Sequence, residues 1–262
     1  MSEVLTMMIG PVILIHLFYF IAVIKKNLSV IDTAWSLGFI LIALTGFFYN
    51  TNHSVQELAI TILVLFWGMR LSAFIHFRNT GKGEDFRYAA WRKDWGSKTN
   101  LIAYFKVYWL QFALMQVVAL PIFAAHFSLR QEFSFLNFLG LLFWLIGFIW
   151  ETIADYQKNE FKSIPGNQHR ICRVGLWNFS RHANYFGETL LWWGIGLIAF
   201  SPEAWWCLLG PLFLNFLLLK VSGVPLIEAR HLKNPEFAQY AAETPVMIPS
   251  LTKILKVLKE RN

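Results

Sequence analysis

The chain has 262 residues, 56% of them hydrophobic and only 15% charged, with twelve Trp and twenty-five Phe. Soluble domains carry about a quarter charged residues, so this composition excludes an ordinary soluble domain and predicts an integral membrane protein. The net charge of +7 is accounted for by membrane topology and gives no reason to expect a nucleic-acid partner.

Seven apolar stretches follow in chain order, at approximately 4–24, 33–49, 58–77, 103–127, 136–154, 185–200 and 205–224. A spanning helix needs about 20 residues; the second and sixth stretches fall short but have amphipathic flanks. No long alternating pattern suggests a barrel, and only helices or closed barrels satisfy the backbone in lipid. The predicted fold is therefore all-α, a polytopic bundle of seven transmembrane helices in a single domain, 1–262. The first stretch has no basic residue before it, Lys25 and Lys26 after it and no A-x-A-like site, so it reads as a span and not as a cleaved signal. Of the 23 basic residues, 21 fall on one side of the predicted membrane; Arg130 falls on the other and Arg70 lies inside the third helix. The positive-inside rule then puts the N-terminus outside and the C-terminus inside, in a bacterial inner membrane or an ER-type membrane. Cys172 and Cys207 fall on opposite faces and are not expected to pair, and no metal-ligand spacing is present.

The outward loops are short and plain, whereas the inward ones, 78–98 and 155–182, are long, basic and aromatic. Such loops concentrate function, although Trp, Lys and Arg also form interfacial belts. Asp32, Glu151, Asp155, Glu188 and Glu228 lie at the inner ends of apolar helices, where a charge needs a partner. Glu151 and Asp155 share a helix face, with Lys162 two turns on if the helix continues. Arg181, Tyr185, Glu188 and Trp192 form a second stripe, bordered by Asn184. These stripes read either as interhelical bridges or as one pocket open to the inner side. In "WNFSRH", Asn178 or Ser180 is suited to cap the next helix, whose first N–H groups attract an anion. Arg181 adds a fork for phosphate or carboxylate. Asn184 offers amide donors and an acceptor, and Glu188 an acceptor for a ribose hydroxyl or a nicotinamide amide. With Lys158, Lys162, Arg170 and Arg173 close by in sequence, the expected ligand has several phosphates and polar rings.

Single residues carry two readings each. Arg70 either pairs with Asp32 or Glu151 or binds a substrate carbonyl or acid. Asp32 either N-caps the second helix or lines a pocket. His182 is read as an interfacial hydrogen-bonding group, and Pro225 as a bend that turns Glu228 inward. Gln111, Gln116 and His16 are buried polar groups for substrate or water.

"GLWNFSRHANYFGETLLWWG", with "DYQKNEFK" upstream and "VSGVPLIEARH" and "FAQYAAETPVMIP" downstream, resembles the DUF1295 membrane family. "IDTAWSLGF" at 31–39 and "GKGEDFRYAAWRKDW" at 81–95 extend the resemblance over nearly the whole chain. That family is related to the C-terminal domain of steroid 5-alpha-reductases and, more distantly, to sterol C14 and C24 reductases. The resemblance implies a seven-helix fold in which residues 1–130 take a lipophilic substrate and 131–262 hold NADPH near the inner face. Positions matching Asp155, Lys162, Arg181, Asn184 and Glu188 contribute to the nucleotide site, with Arg173, Trp177, His182, Tyr185, Glu228 and Arg230 expected around them. The implied reaction is hydride transfer to the β-carbon of a conjugated ketone, its carbonyl held by a carboxyl–tyrosine pair. Asp32 is the expected carboxylate. The stretch comparable to the reductases' tyrosine, "FIHFR" at 74–78, has none, and Tyr108, Arg70 or His76 is expected to replace it. The hydride face is expected to lie under the 78–98 and 155–180 loops. A looser RHPxY form of the signature belongs to isoprenylcysteine carboxyl methyltransferases and phospholipid methyltransferases. S-adenosylmethionine is therefore the alternative cofactor, though alanine in "RHANY" leans toward a reductase. A non-catalytic lipid-binding or assembly protein is the third reading.

Overall fold

A computed structural model describes residues 2–129, 132–231 and 234–261, so Arg130 and Lys233 of the charge pattern lie outside the described residues. Every regular element among them is helical. Six helical segments are long and apolar enough to cross a membrane: 3–25, 28–49, 55–79, 86–118, 135–163 and 205–229. The chain is an integral, multi-pass membrane protein. Its apolar surface fits that solvent: α1 (Ser2–Lys25) exposes Leu5, Ile9, Ile13, Leu17, Phe20 and Ile24, spaced by three and four, and buries Met7, Leu14, Ile15 and Ala22. Lipid tails solvate such a stripe as well as a protein core would.

The chain groups into two compact units. The first comprises Met1–Phe138 and Ile195–Gly210. Here α2 (Ile31–Tyr49) packs against both α1 and α3 (Val55–Asn79). The α2–α3 turn is pinned by Glu57, 3% exposed, whose carboxylate accepts from Asn50 Nδ2 at 2.9 Å and lies 3.0 Å from His126 Nδ1. The predicted inner loop 78–98 is largely helix: α4 (Phe86–Trp95) leads through the single turn 96–98 into α5 (Thr99–Ala103). Asp85 starts α4 by accepting from the Arg87 amide at 3.0 Å, a side-chain cap worth about 1 kcal/mol. A π-helical turn, Tyr104–Trp109, follows and joins α6 (Leu110–Val118). The predicted 103–127 stretch breaks at Ala119, and α7 (Leu120–His126) carries Pro121 in its first turn, where a missing amide costs no hydrogen bond.

The second unit comprises Leu139–Gly194 and Pro211–Asn262. Helix α8 (Phe135–Ser163) runs past the predicted end at 154, placing Glu151, Asp155 and Lys162 on one helix. It meets α9 (Ala183–Ala199) backbone to backbone. A Cβ on Gly147 would lie 2.5 Å from the Leu191 nitrogen, and one on Gly187 2.5 Å from that of Glu151. Small residues are the usual means of such close approach in membranes. Helix α10 (Leu209–Phe216) passes through a second π turn, Leu217–Val221, and the chain breaks at Gly223 before α11 (Val224–Ala229). Pro225 therefore begins a helix, and the expected bend is a break: at Gly223 a Cβ would lie 2.4 Å from the Leu218 carbonyl oxygen. Helices α12 (Pro235–Glu243) and α13 (Leu251–Arg261) follow. Both cysteines are buried free thiols.

Candidate functional site

In the second unit, the stretch 177–184 is woven into the end of α8 and the 240–250 segment. Trp177 Nε1 donates to the Ala154 carbonyl at 2.9 Å, and the Tyr240 hydroxyl donates to the Trp177 carbonyl. The Arg181 and His182 amides donate to the Pro245 and Val246 carbonyls, each at 3.0 Å. Those two amides, just before α9, are thus engaged by the chain itself. Ser180 Oγ donates to the Met247 carbonyl at 2.7 Å and accepts from the His182 amide at 3.3 Å.

The Arg181 guanidinium is taken as well. It donates to Glu228 through Nε at 2.9 Å, and through Nη1 to the Ala241 and Thr244 carbonyls at 3.0 and 2.6 Å. His182 Nε2 lies 3.1 Å from the same Glu228 carboxylate, and its ring stacks on Tyr185 at 5.3 Å. Asn184 Nδ2 donates to Asp155 at 3.2 Å, tying α9 to α8. The Lys162 ammonium is ringed by three main-chain carbonyls, those of Asn167, Gln168 and Arg170. Arg181 and Lys162, both expected to grip phosphate, hold main chain in this structure. Glu188 is half-buried on α9, in the turn after Tyr185.

What surrounds this framework is positive. The Lys158 ammonium sits 4.2 Å from the Trp177 ring centroid, and the Arg173 guanidinium lies over Tyr240 at 5.2 Å. Arg173 Nη2 donates to the Glu236 carbonyl, while its buried Nε has no hydrogen-bond acceptor among the described residues. Burial, and then the charges of Arg230, Lys162 and Lys158, hold His231 below its ordinary value against the pull of Glu228. Burial likewise holds His182 down, with Lys158 and Arg181 acting in the same direction and Glu228 opposing them. Burial raises the Cys172 thiol and the Tyr240 phenol.

The first unit holds a second polar cluster. Asp32 lies in the first turn of α2, but the N-cap is Val30, without a side-chain bond, so the capping alternative does not hold. Its carboxylate accepts from Arg87 Nη2 at 2.9 Å and from the Tyr88 hydroxyl at 2.5 Å. Gln111 Nε2 approaches the Tyr88 oxygen at 3.4 Å, and the buried Gln111 Oε1 has no hydrogen-bond partner among the described residues. Beside this cluster, Glu84 accepts from Arg92 Nε at 2.8 Å and from the Leu28 amide. Burial opposes ionisation of Glu84, yet Arg92 and the amide prevail and hold the carboxyl below its ordinary value. Tyr108, expected as a donor, gives its hydroxyl to the Leu28 carbonyl at 3.2 Å. Arg70 is half-buried on α3, and His76 is exposed in its last turn. Asp32 does meet a cation, and that cation is Arg87. The tyrosine that touches Asp32 is Tyr88, which sequence reasoning missed. The available signal was Asp85 as a cap, which makes 86–95 a helix with Arg87 and Tyr88 in its first turn.

Several known proteins are similar to parts of this chain. A family model described as a protein of unknown function, DUF1295, matches residues 18–244. An uncharacterized protein of Schizosaccharomyces pombe is 23% identical over 206 residues, 69% of this chain and 60% of that protein. 3-oxo-5-alpha-steroid 4-dehydrogenase 1 of Bos taurus is 32% identical over 66 residues, and that of Mus musculus 32% identical over 64. These last alignments cover about a quarter of each partner, so the chain spans under two thirds of the length of the curated relatives it matches. No solved structure matches.

Proposed function

On the premise that the chain belongs to the DUF1295 family, we propose that it is an NADPH-dependent membrane reductase acting on the conjugated C=C bond of a lipophilic ketone. The observation that carries the reading is the cation cluster of the second unit. Lys158 lies on the Trp177 ring and Arg173 on the Tyr240 ring, and the buried Arg173 Nε has no hydrogen-bond acceptor among the described residues. These residues fit a polyanion. Lys158, Arg173, Arg230 and His231 would hold its phosphates, while Asp155 and Asn184 present an acceptor and an amide to its polar rings. Lys162 and Arg181 would act through the main chain they brace, not through direct contact. When bound, the nicotinamide ring supplies hydride.

Reduction of such a ketone adds hydride at the β-carbon and a proton at the α-carbon, with negative charge developing on the carbonyl oxygen between the two. Tyr88 is suited to donate to that oxygen. Its single proton goes to Asp32 in this structure and would turn to the substrate oxygen as charge develops there, leaving the Asp32 carboxylate held by Arg87. The short similarity to steroid dehydrogenases supports a steroid-like or polyprenoid-like substrate. The same reading includes α9 as a seventh span, at the lower end of the range of about 17–25 residues that suffices, with the N-terminus outside and the C-terminus inside.

Thermal stabilisation of the detergent-purified protein by NADPH, NADH and S-adenosylmethionine tests this. NADPH is expected to stabilise most, and Lys158→Gln or Arg230→Gln to weaken its binding by about tenfold or more, as for a lost charge-assisted bond. Stabilisation by S-adenosylmethionine alone would replace the reductase reading with a methyltransferase. No response to any of the three would favour a non-catalytic role.

A further inference from the structure

Helix α13 (Leu251–Arg261) belongs to neither cluster and has too few residues to cross a bilayer, which takes about 20. It has a defined start: the Ser250 hydroxyl accepts from the Lys253 amide at 3.3 Å, and the Ser250 carbonyl accepts from the Ile254 amide at 3.1 Å. At roughly 100° per residue, Leu251, Ile254 and Leu255 fall on one face and Lys253 and Lys256 on the other, with Lys259 at the boundary beside Leu255. The apolar face is not packed away. Leu251 is 72% exposed and Leu255 57%, and Ile248, just before the helix, is 72% exposed. Lys256 and Lys259 are exposed too.

We propose that α13 is an interfacial helix that docks on an anionic bilayer surface, its leucines in the acyl boundary and its lysines on lipid phosphates. Three observations favour lipid over a second copy or a soluble partner. The rest of the chain already resides in a bilayer. The polar face is lined by lysines, complementary to phosphate and not to another copy of the same lysine-bearing helix. The start of α13 is tied back to the fold, since Lys253 Nζ donates to Thr244 Oγ1 at 2.9 Å and to the Asn178 carbonyl at 3.3 Å. An amphipathic helix with Lys opposite Leu lies in the headgroup boundary, and each nearby lysine strengthens attachment to anionic lipid by about fivefold.

The test is hydrogen exchange of amides 251–261 in the full-length protein, in nanodiscs of phosphatidylcholine alone and of phosphatidylcholine mixed with phosphatidylglycerol. Exchange is expected to be slower with phosphatidylglycerol, and added salt to reduce the difference. Lys256→Gln with Lys259→Gln should remove it, by about fivefold per lysine. Leu251→Gln with Leu255→Gln should remove protection in both lipids. Unchanged exchange in α8 and α9 would show that the variants are folded. Equal protection in the two lipids, or a difference that survives the lysine changes, overturns the proposal. So does protection that rises with protein concentration, which would assign the face to a second copy. NADPH plays no part in this readout, so it stands or falls apart from the reductase reading.

Discussion

At the scale of residues, Tyr88 and Tyr108 separate a chemical role from a packing one. Tyr88 donates its hydroxyl to Asp32, whereas Tyr108 is fully buried with its hydroxyl on a main-chain carbonyl. Tyr88→Phe should lower kcat by about a hundredfold or more with little change in KM, the mark of a donor needed mainly as charge develops. Tyr108→Phe should leave kcat near wild type and cost about 1 kcal/mol of stability for the lost bond. Steady-state kinetics beside thermal unfolding distinguishes the two, and equal kinetic losses would sink the assignment. Arg181→Lys should behave as a deletion, since an ammonium cannot serve Glu228 and two carbonyls in one plane; a loss of about 3 kcal/mol is expected for a broken, largely buried pair. His182 gives a pH signature. Its imidazole is held below the ordinary value in the folded state, so the unfolded chain takes up a proton first as pH falls. Its contribution is therefore full above about pH 6.5 and lost as pH drops toward the folded value. The thermal midpoint should fall as the pH is lowered from 7.5 to 5.5, and His182→Gln should flatten that part of the slope. Asp155, Arg181, Asn184 and Glu228 stood out in the sequence because each is a polar residue in an apolar setting, and the structure pairs Arg181 with Glu228 and Asn184 with Asp155. The sequence could not tell which partners they meet. Whether Arg181 faces a ligand or the Thr244 carbonyl depends on a segment far along the chain, and no local pattern encodes that.

At the scale of elements, hydrophobic runs located most helices, because an apolar stretch of spanning length has few other stable states in lipid. The misreadings cluster where capping and special turns decide. Charged residues made 78–98 look like loop, yet the Asp85 cap and the good helix formers after it make α4. The two π turns, Tyr104–Trp109 and Leu217–Val221, leave no hydropathy signature at all, and each adds a residue to one turn and so resets which side chains share the face beyond it. Helices α8 and α9 approach backbone to backbone at Gly147 and Gly187. Gly187→Leu would drive a side chain into the α8 backbone around Glu151, a contact with no flexible partner to give way. A loss of about 3 kcal/mol is expected, seen as a lower midpoint or as failure to purify a monodisperse protein. A wild-type midpoint in Gly187→Leu would mean that the two helices are not packed as described.

At the scale of the whole molecule, the membrane class was plain in composition alone, and the number of crossings rests on one helix. Among the described residues six helices meet the length and hydropathy expected of a span, and whether α9, with 17 residues, also crosses decides the parity. If it crosses, the two ends of the chain lie on opposite faces; if not, on the same face. Impermeant thiol labelling of single cysteines introduced at position 3 and position 262 is expected to modify the first from outside and the second only after permeabilisation. Labelling of both from one side would remove α9 from the spans and reverse the side assigned to the loops around it.

The seam between residues 180–182 and 245–247 also bears on how the protein is made. The carbonyls of Pro245, Val246 and Met247 complete the hydrogen bonds of Ser180, Arg181 and His182, so this part of the fold cannot close during synthesis of the helices that carry it. Until residue 247 has left the ribosome, Ser180, Arg181 and His182 lack the carbonyls that will hold them. A nascent chain stalled before that point should be inserted yet protease-sensitive around Arg181, and one stalled well beyond it resistant.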